Sequence, residues 1–116
     1  MGKWHLPVGS ALLVPVTDRS GKKKQLVCAP TMRVPQSLRR TPQNIYWAMI
    51  SILECLRGLP DDCSVAVPCL GTGVGQLTGD ESGLQVSRAM RDHASGRVVP
   101  NVIRRAPGVY LATIPQ

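Results

Sequence analysis

The residues best placed to do chemistry form one short run, Gly71-Thr-Gly-Val-Gly-Gln-Leu-Thr-Gly79. Glycines at this density let the main chain turn tightly and approach a ligand closely. Successive N–H groups in such a turn can converge on an anion. Thr78 and Glu81 fit the Ser/Thr-x-x-Glu capping box, so a helix is expected to begin at the end of the loop. The unpaired N–H groups and positive dipole end of that helix would point at the same place. The chemistry implied is the holding of a phosphate-like anion by backbone donors. The common phosphate motifs do not fit. There is no Lys in the loop, as a P-loop requires, and Gln76 stands where the dinucleotide fingerprint places its third Gly. A tight turn between two elements, with no ligand, explains the same spacing.

Other chemistry is sparse. His5 and His93 are far apart in sequence, and each reads as a surface residue rather than a base. Ser82, Ser87 and Ser95 lack the Gly-x-Ser-x-Gly context of a nucleophile elbow. Asp80 and Glu81 form a carboxylate pair that a helix N-terminus stabilises without catalysis. Cys28, Cys55, Cys63 and Cys69 make no Cys-x-x-Cys pair and have no His at ligand spacing, so no metal site is expected. They read as buried or half-buried thiols behaving as small hydrophobes, a pattern that suits a reducing cytoplasm rather than a disulfide scaffold.

These residues need elements to position them. Ser10 to Val16 and Gln25 to Pro30 read as two strands joined through the turn Asp18-Arg-Ser-Gly21, with Lys22, Lys23 and Lys24 at the exposed tip of a hairpin. The stretch from Pro30 to Arg40 is a loop carrying Arg33, Arg39 and Arg40. Thr41 as N-cap and Pro42 as first residue open a helix whose Ile45, Ala48, Met49, Ile52, Leu53 and Leu56 fall at helical spacing. Gly58 and Pro60 end it. Tyr46 and Trp47 on this helix read as packing groups. Ser64 to Leu70 is a continuous apolar run, the pattern of a strand buried on both faces, so a parallel strand reached by a right-handed crossover is expected. The glycine loop would then lie beyond the carboxyl end of that strand, where open α/β sheets bind ligands. The helix after the loop is expected to run to about His93 and stop near Gly96, with Leu84, Ala89 and Met90 as a weak apolar face. Beyond Arg97 the pattern fades, with one strand expected from Val109 to Ile114.

Composition narrows the partners. Fourteen Lys and Arg against seven Asp and Glu give a net charge of +7, which favours nucleotides, nucleic acid or acidic surfaces. With 116 residues there is room for one modest core, and the lack of Phe makes it aliphatic. The Met-Gly-Lys-Trp-His-Leu start lacks the Ser or Thr of a myristoylation signal, and Pro15 breaks an apolar stretch too short for a signal peptide. No run approaches a membrane span. A cytoplasmic protein is expected.

Ser64-Val-Ala-Val-Pro-Cys-Leu-Gly-Thr-Gly-Val-Gly-Gln76 resembles the phosphate loop of macro domains, the α/β modules that bind ADP-ribose. Leu26-Val-Cys-Ala-Pro-Thr-Met-Arg-Val-Pro35 resembles the strand and loop of a bacterial and phage-type branch of that family, and Leu6-Pro-Val-Gly-Ser-Ala-Leu-Leu-Val14 the strand before it. The helix with Asn44, Tyr46 and Ala48 also fits. The resemblance spans roughly 6–93. It implies a partial macro-like domain over 6–95, α/β with a mixed or parallel sheet and helices packed on it in three layers, followed by a divergent tail over 96–116. It also implies an ADP-ribose or related nucleotide diphosphate site. Gly71, Thr72, Gly73, Val74, Gly75 and Gln76 would surround the diphosphate, Thr72 adding a hydroxyl donor, with Thr31 and Arg33 in the neighbouring loop. The acidic adenine-reading residue and the Asn- and Gly-rich first loop of the family have no counterpart here, so the chain resembles the later half of a macro domain. No catalytic residue, cofactor or metal is assigned, and ADP-ribosyl hydrolysis is left as a lesser version of the binding reading.

Two other functions are weighed against it. A basic polyanion binder would use Lys22 to Lys24, Arg39, Arg40, Arg104 and Arg105. A truncated remnant without ligand function, or one half of a split domain that needs a partner, would expose an unpaired sheet edge and apolar surface and so aggregate or dimerise.

Overall fold

A computed structural model describes residues 6–114 of the chain. The N-terminal tail, including Trp4 and His5, and the last two residues lie outside the described part. Strand β1 spans Ala11–Thr17 and β2 spans Lys23–Cys28, paired antiparallel with Leu12 opposite Cys28 and Val14 opposite Leu26. The hairpin expected from the turn residues is present. Asp18 accepts from the Ser20 and Lys22 amides and from the Ser20 hydroxyl, and Gly21 takes a left-handed φ of 85°. Those hydrogen bonds, led by that from the Ser20 side chain, hold the Asp18 carboxyl below its ordinary pKa. The lysines are not all at the tip, because Lys23 and Lys24 already belong to β2.

Helix α1 covers Gln43–Leu56 and buries Ile45, Ala48, Met49, Ile50, Ser51, Ile52 and Cys55. The expected apolar face is therefore its core face. Its start differs by one residue: Pro42 is the cap, in helical conformation, and no side chain caps it. The Thr41 amide is drawn back to the Leu38 carbonyl at 3.0 Å, which turns the chain before the helix. Two buried polar groups of α1 are satisfied at the entry to β1, Ser51 Oγ donating to the Gly9 carbonyl at 2.5 Å and Cys55 Sγ to the Ala11 carbonyl at 3.6 Å. Helix α2 covers Gly79–Ala94 with the predicted capping box formed, Thr78 Oγ1 accepting from the Glu81 amide at 3.1 Å and Glu81 Oε1 from the Thr78 amide at 2.9 Å. Its buried face is Ser82, Gln85 and Ala89, while Leu84 and Met90 are exposed, so the expected apolar stripe is corrected. The second helix packs on the first rather than on a sheet, and small or polar side chains suit that close contact. Tyr46 ties the two together, its hydroxyl donating to Asp92 at 2.5 Å, and Trp47 meets the Tyr46 ring edge-on.

The sheet corrects the expected topology. Strands β3 (Asn101–Ala106) and β4 (Val109–Thr113) form a second hairpin, and the order is β2-β1-β4-β3 with every neighbouring pair antiparallel. Ala11 lies opposite Ala112 and Leu13 opposite Tyr110. The run Ser64 to Leu70 is not a strand. It is irregular, and Val65 and Val67 are 50% and 43% exposed. An extended stretch becomes a strand only when an edge accepts its main chain, and here β4 has taken the place beside β1. The fold is α/β, with one antiparallel sheet, α1 packed on it at β1 and β4, and α2 packed on α1. The main core joins Ala11, Leu13 and Ala112 of the sheet to Met49, Ile50, Ile52 and Cys55 of α1 and Ala89 of α2.

Cysteine burial also departs from expectation. Cys55 is buried, but Cys28, Cys63 and Cys69 are exposed, because β2 is an edge strand and the run around Cys69 is unpaired.

Candidate functional site

The glycine loop rests on a small apolar cluster of its own. Leu38, Ile45 and Leu77 form it, with Met32, Leu70 and Val86 packed against them. Ile45 belongs to the first turn of α1, so the loop sits over the N-terminal end of that helix. Gly71 has φ 78°, and a Cβ there would lie 2.8 Å from Ile45 Cδ1 and 3.2 Å from Leu38 Cδ1. At Gly75 a Cβ would lie 2.6 Å from the Gly71 carbonyl oxygen. Glycine is therefore favoured at Gly71 by its left-handed φ together with crowding, and at Gly75 by the close backbone carbonyl. Gly73 is different: nothing lies within 4 Å of the Cβ position, and it is exposed together with Val74.

Hydrogen bonding divides the loop by polarity. The Gly71 carbonyl accepts from the Leu77 amide at 3.0 Å, the Gly73 carbonyl from the Gln76 amide at 3.0 Å, and the Gly75 carbonyl from the Leu38 amide at 2.8 Å. Among the described residues, no amide from Gly71 to Gly75 donates to a protein acceptor. Three of the loop's carbonyls are thus engaged while its amides have no protein partner, and among them Gly75 is itself buried. Gln76 closes the loop in the left-handed region, φ 62°, a conformation that strains a residue with a side chain.

The neighbouring loop is attached directly. Besides the Leu38–Gly75 hydrogen bond, Asn44 Nδ2 donates to the Thr31 carbonyl at 3.0 Å, and Met32 packs on the shared cluster. Ser82 Oγ of α2 donates to the Leu70 carbonyl at 2.6 Å, anchoring the residue just before Gly71. The structure therefore brings Thr31 and the glycine loop around one cluster. Arg33 is exposed and forms no ion pair among the described residues. Thr72 does not offer a free proton as expected, since its hydroxyl donates to the Cys69 carbonyl at 2.8 Å.

The N-terminus of α2 is less open than its sequence suggests. The Thr78 and Glu81 amides are consumed by the capping box. Those contacts, the hydrogen bond with the Thr78 amide first, hold the Glu81 carboxyl below its ordinary value, with a smaller effect from the positive charge of Arg39. A carboxylate kept ionised there competes with an incoming anion. The start of α1 has no acidic residue in its first turn and no side-chain cap, but its Asn44 and Ile45 amides already donate to the Thr41 and Pro42 carbonyls at 3.1 and 3.0 Å.

Sequence reasoning missed a second polar cluster. His93 is half-buried rather than a surface residue, its Nε2 2.7 Å from Glu54 Oε2, while Arg57 lies 3.3 Å from Glu54 Oε1. The signal was weak because Glu54 and His93 sit 39 positions apart on different helices. Cavities of about 390 and 330 Å³ lie on either side of Glu54 and Arg57 at the C-terminal end of α1, and the glycine loop lines neither. Among the described residues there is no cluster of His, Cys, Asp or Glu able to hold a metal, and no helix long and apolar enough to cross a membrane. Comparison with protein-family models, curated proteins and solved structures gave no match for this chain.

Proposed function

We propose that this chain binds ADP-ribose or a related nucleotide diphosphate through the main chain of Gly71 to Gly75, in the manner of the macro-like modules that residues 6–93 resemble. The observation that carries the reading is the set of five successive amides, Gly71 to Gly75, without a protein acceptor among the described residues. Diphosphate oxygens are strong acceptors, and backbone N–H groups at such a turn supply fixed partial charge without a lysine. Gln76 and Val74 border the loop, and Thr31 with Arg33 supplies the adjoining rim. Thr72 serves in shaping the loop, since its hydroxyl proton is engaged. The role is binding, with no side chain assigned to bond cleavage.

Calorimetry with ADP-ribose tests this. The unmodified chain should give saturable heat. Gly73→Glu should give none, because it places a carboxylate at the open face of the loop while leaving room for the fold. Equal heats from both proteins, or none from either, would remove the reading.

The competing polyanion reading has its own support, the exposed Lys22, Lys23, Arg39, Arg40, Arg104 and Arg105, none of them in an ion pair among the described residues. It requires binding to nucleic acid that weakens steeply with salt through counterion release. A flat salt dependence rejects it.

A further inference from the structure

The sheet has two edges, and they are protected unequally. Edge strand β3 carries Arg104 and Arg105 and an irregularity between Arg104 and Ala106, devices that discourage strand addition. Edge strand β2 is guarded by lysine only in its first half. Its second half, Gln25 to Cys28, is free on the outer side, and Leu26 is 49% exposed. The same chain holds an irregular apolar segment that pairs with no sheet. Among the described residues, Ser64 to Pro68 make no hydrogen bond from main chain or side chain, and the segment is exposed throughout.

The two segments match in charge as well as in pattern. Lys22-Lys-Lys-Gln-Leu-Val-Cys28 begins basic and ends apolar, and Asp61-Asp-Cys-Ser-Val-Ala-Val67 begins acidic and ends apolar. Lys22, Lys23, Asp61 and Asp62 are all exposed, and none has an ion-pair partner among the described residues. A parallel alignment sets Val65 beside Leu26 and Val67 beside Cys28, and it brings the turn at Asp61 and Asp62, closed by the Cys63 amide on the Pro60 carbonyl at 3.1 Å, next to the Lys22 and Lys23 end of β2. Pro68, which has no N–H to give, falls past the end of β2. An antiparallel alignment would instead bring the lysines against Pro68 to Leu70 and leave all four charges unmatched.

We propose that the segment Ser64–Val67 of one copy adds as a strand to the free edge of β2 in a second copy, with the Asp61–Asp62 turn set against the lysines, and that the exchange is reciprocal about a twofold axis. Each copy then supplies one edge and one added strand, so the contact is isologous and closes at two chains. Main-chain hydrogen bonds give the association its strength and the Asp–Lys pairs its direction. The inference is independent of any ligand at the glycine loop.

Sedimentation equilibrium of the full chain over a concentration series tests it. The expected result is a reversible monomer–dimer equilibrium. Charge reversal on one side, Lys22→Glu with Lys23→Glu, should weaken the dimer by about tenfold or more, since like charges then face across the pair. Asp61→Lys with Asp62→Lys should do the same, and all four substitutions together should restore it. Because the four residues are exposed, far-UV circular dichroism should be unchanged in every variant. A chain that stays monomeric at all concentrations overturns the proposal, as does a dimer indifferent to both reversals or one not restored by the combined swap. A monomer whose Val65 and Val67 amides exchange slowly with solvent also overturns it, since the segment would then have found an edge within its own chain.

Discussion

Replacing the loop glycines one at a time by alanine separates packing from ligand binding. At Gly71 the added methyl meets side-chain carbons at 2.8, 3.0 and 3.2 Å, and the backbone sits at φ 78°. The left-handed conformation costs an alanine about 1–2 kcal/mol, and overfilling a packed site adds roughly 1–3 kcal/mol. Gly71→Ala should therefore lose about 2–5 kcal/mol. At Gly75 the nearest atom, 2.6 Å away, is the carbonyl oxygen of Gly71, which already accepts from Leu77 and cannot swing aside like a side-chain tip. Gly75→Ala should lose about 1–3 kcal/mol. Gly73 has open space at the Cβ position and no left-handed φ, so Gly73→Ala should be neutral or gain up to about 1 kcal/mol by restricting the unfolded chain. For a chain of this length each kcal/mol moves the melting temperature by roughly 4 °C. Urea and thermal unfolding of the three variants should thus give two clear losses and one near-wild-type curve. Equal losses at Gly71 and Gly73, or none at Gly71, would refute the account of the loop as a packed base beneath an open tip.

Gln76→Gly should raise stability by about 0.5–1 kcal/mol, since it relieves the left-handed strain at φ 62° and gives back part in unfolded-state entropy; urea midpoints check this. Burial pushes the Cys55 thiol up to about 11 from an ordinary 9. The neutral thiol is then favoured in the folded chain, so this contribution is complete below pH 9 and is lost as the pH rises through 11. Stability measured in urea should fall across that window, in the same direction as the effect of Tyr46, pushed up to about 12. A thiol reagent at neutral pH should label Cys28, Cys63 and Cys69 in the native protein and Cys55 only after unfolding.

Several elements were legible because their signals are local. The Asp18 to Gly21 turn, the apolar stripe of α1 and the capping box of α2 each need only residues within a few positions, and each formed. The hairpin of β3 and β4 was half missed. Pro107-Gly108 is a turn signal between Val102-Ile103 and Val109-Tyr-Leu111, but Arg104 and Arg105 break the alternation that marks a strand. Those arginines lie on an edge strand, where charge is tolerated because the side chains remain in water.

The amino-acid sequence determined on its own the first hairpin turn, the presence and approximate span of both helices, and that a glycine-rich backbone follows Leu70. Only the tertiary structure decided which strand neighbours which. Ser64 to Leu70 has the composition of a buried strand, yet pairing is a contest among distant segments for one edge, and β4 occupies the place beside β1. The roles of the glycines were settled the same way. Their spacing is identical on either side of Gly73, but contacts with Leu38 and Ile45, more than twenty-five residues upstream, hold Gly71 and Gly75 beneath the surface and leave Gly73 open to solvent.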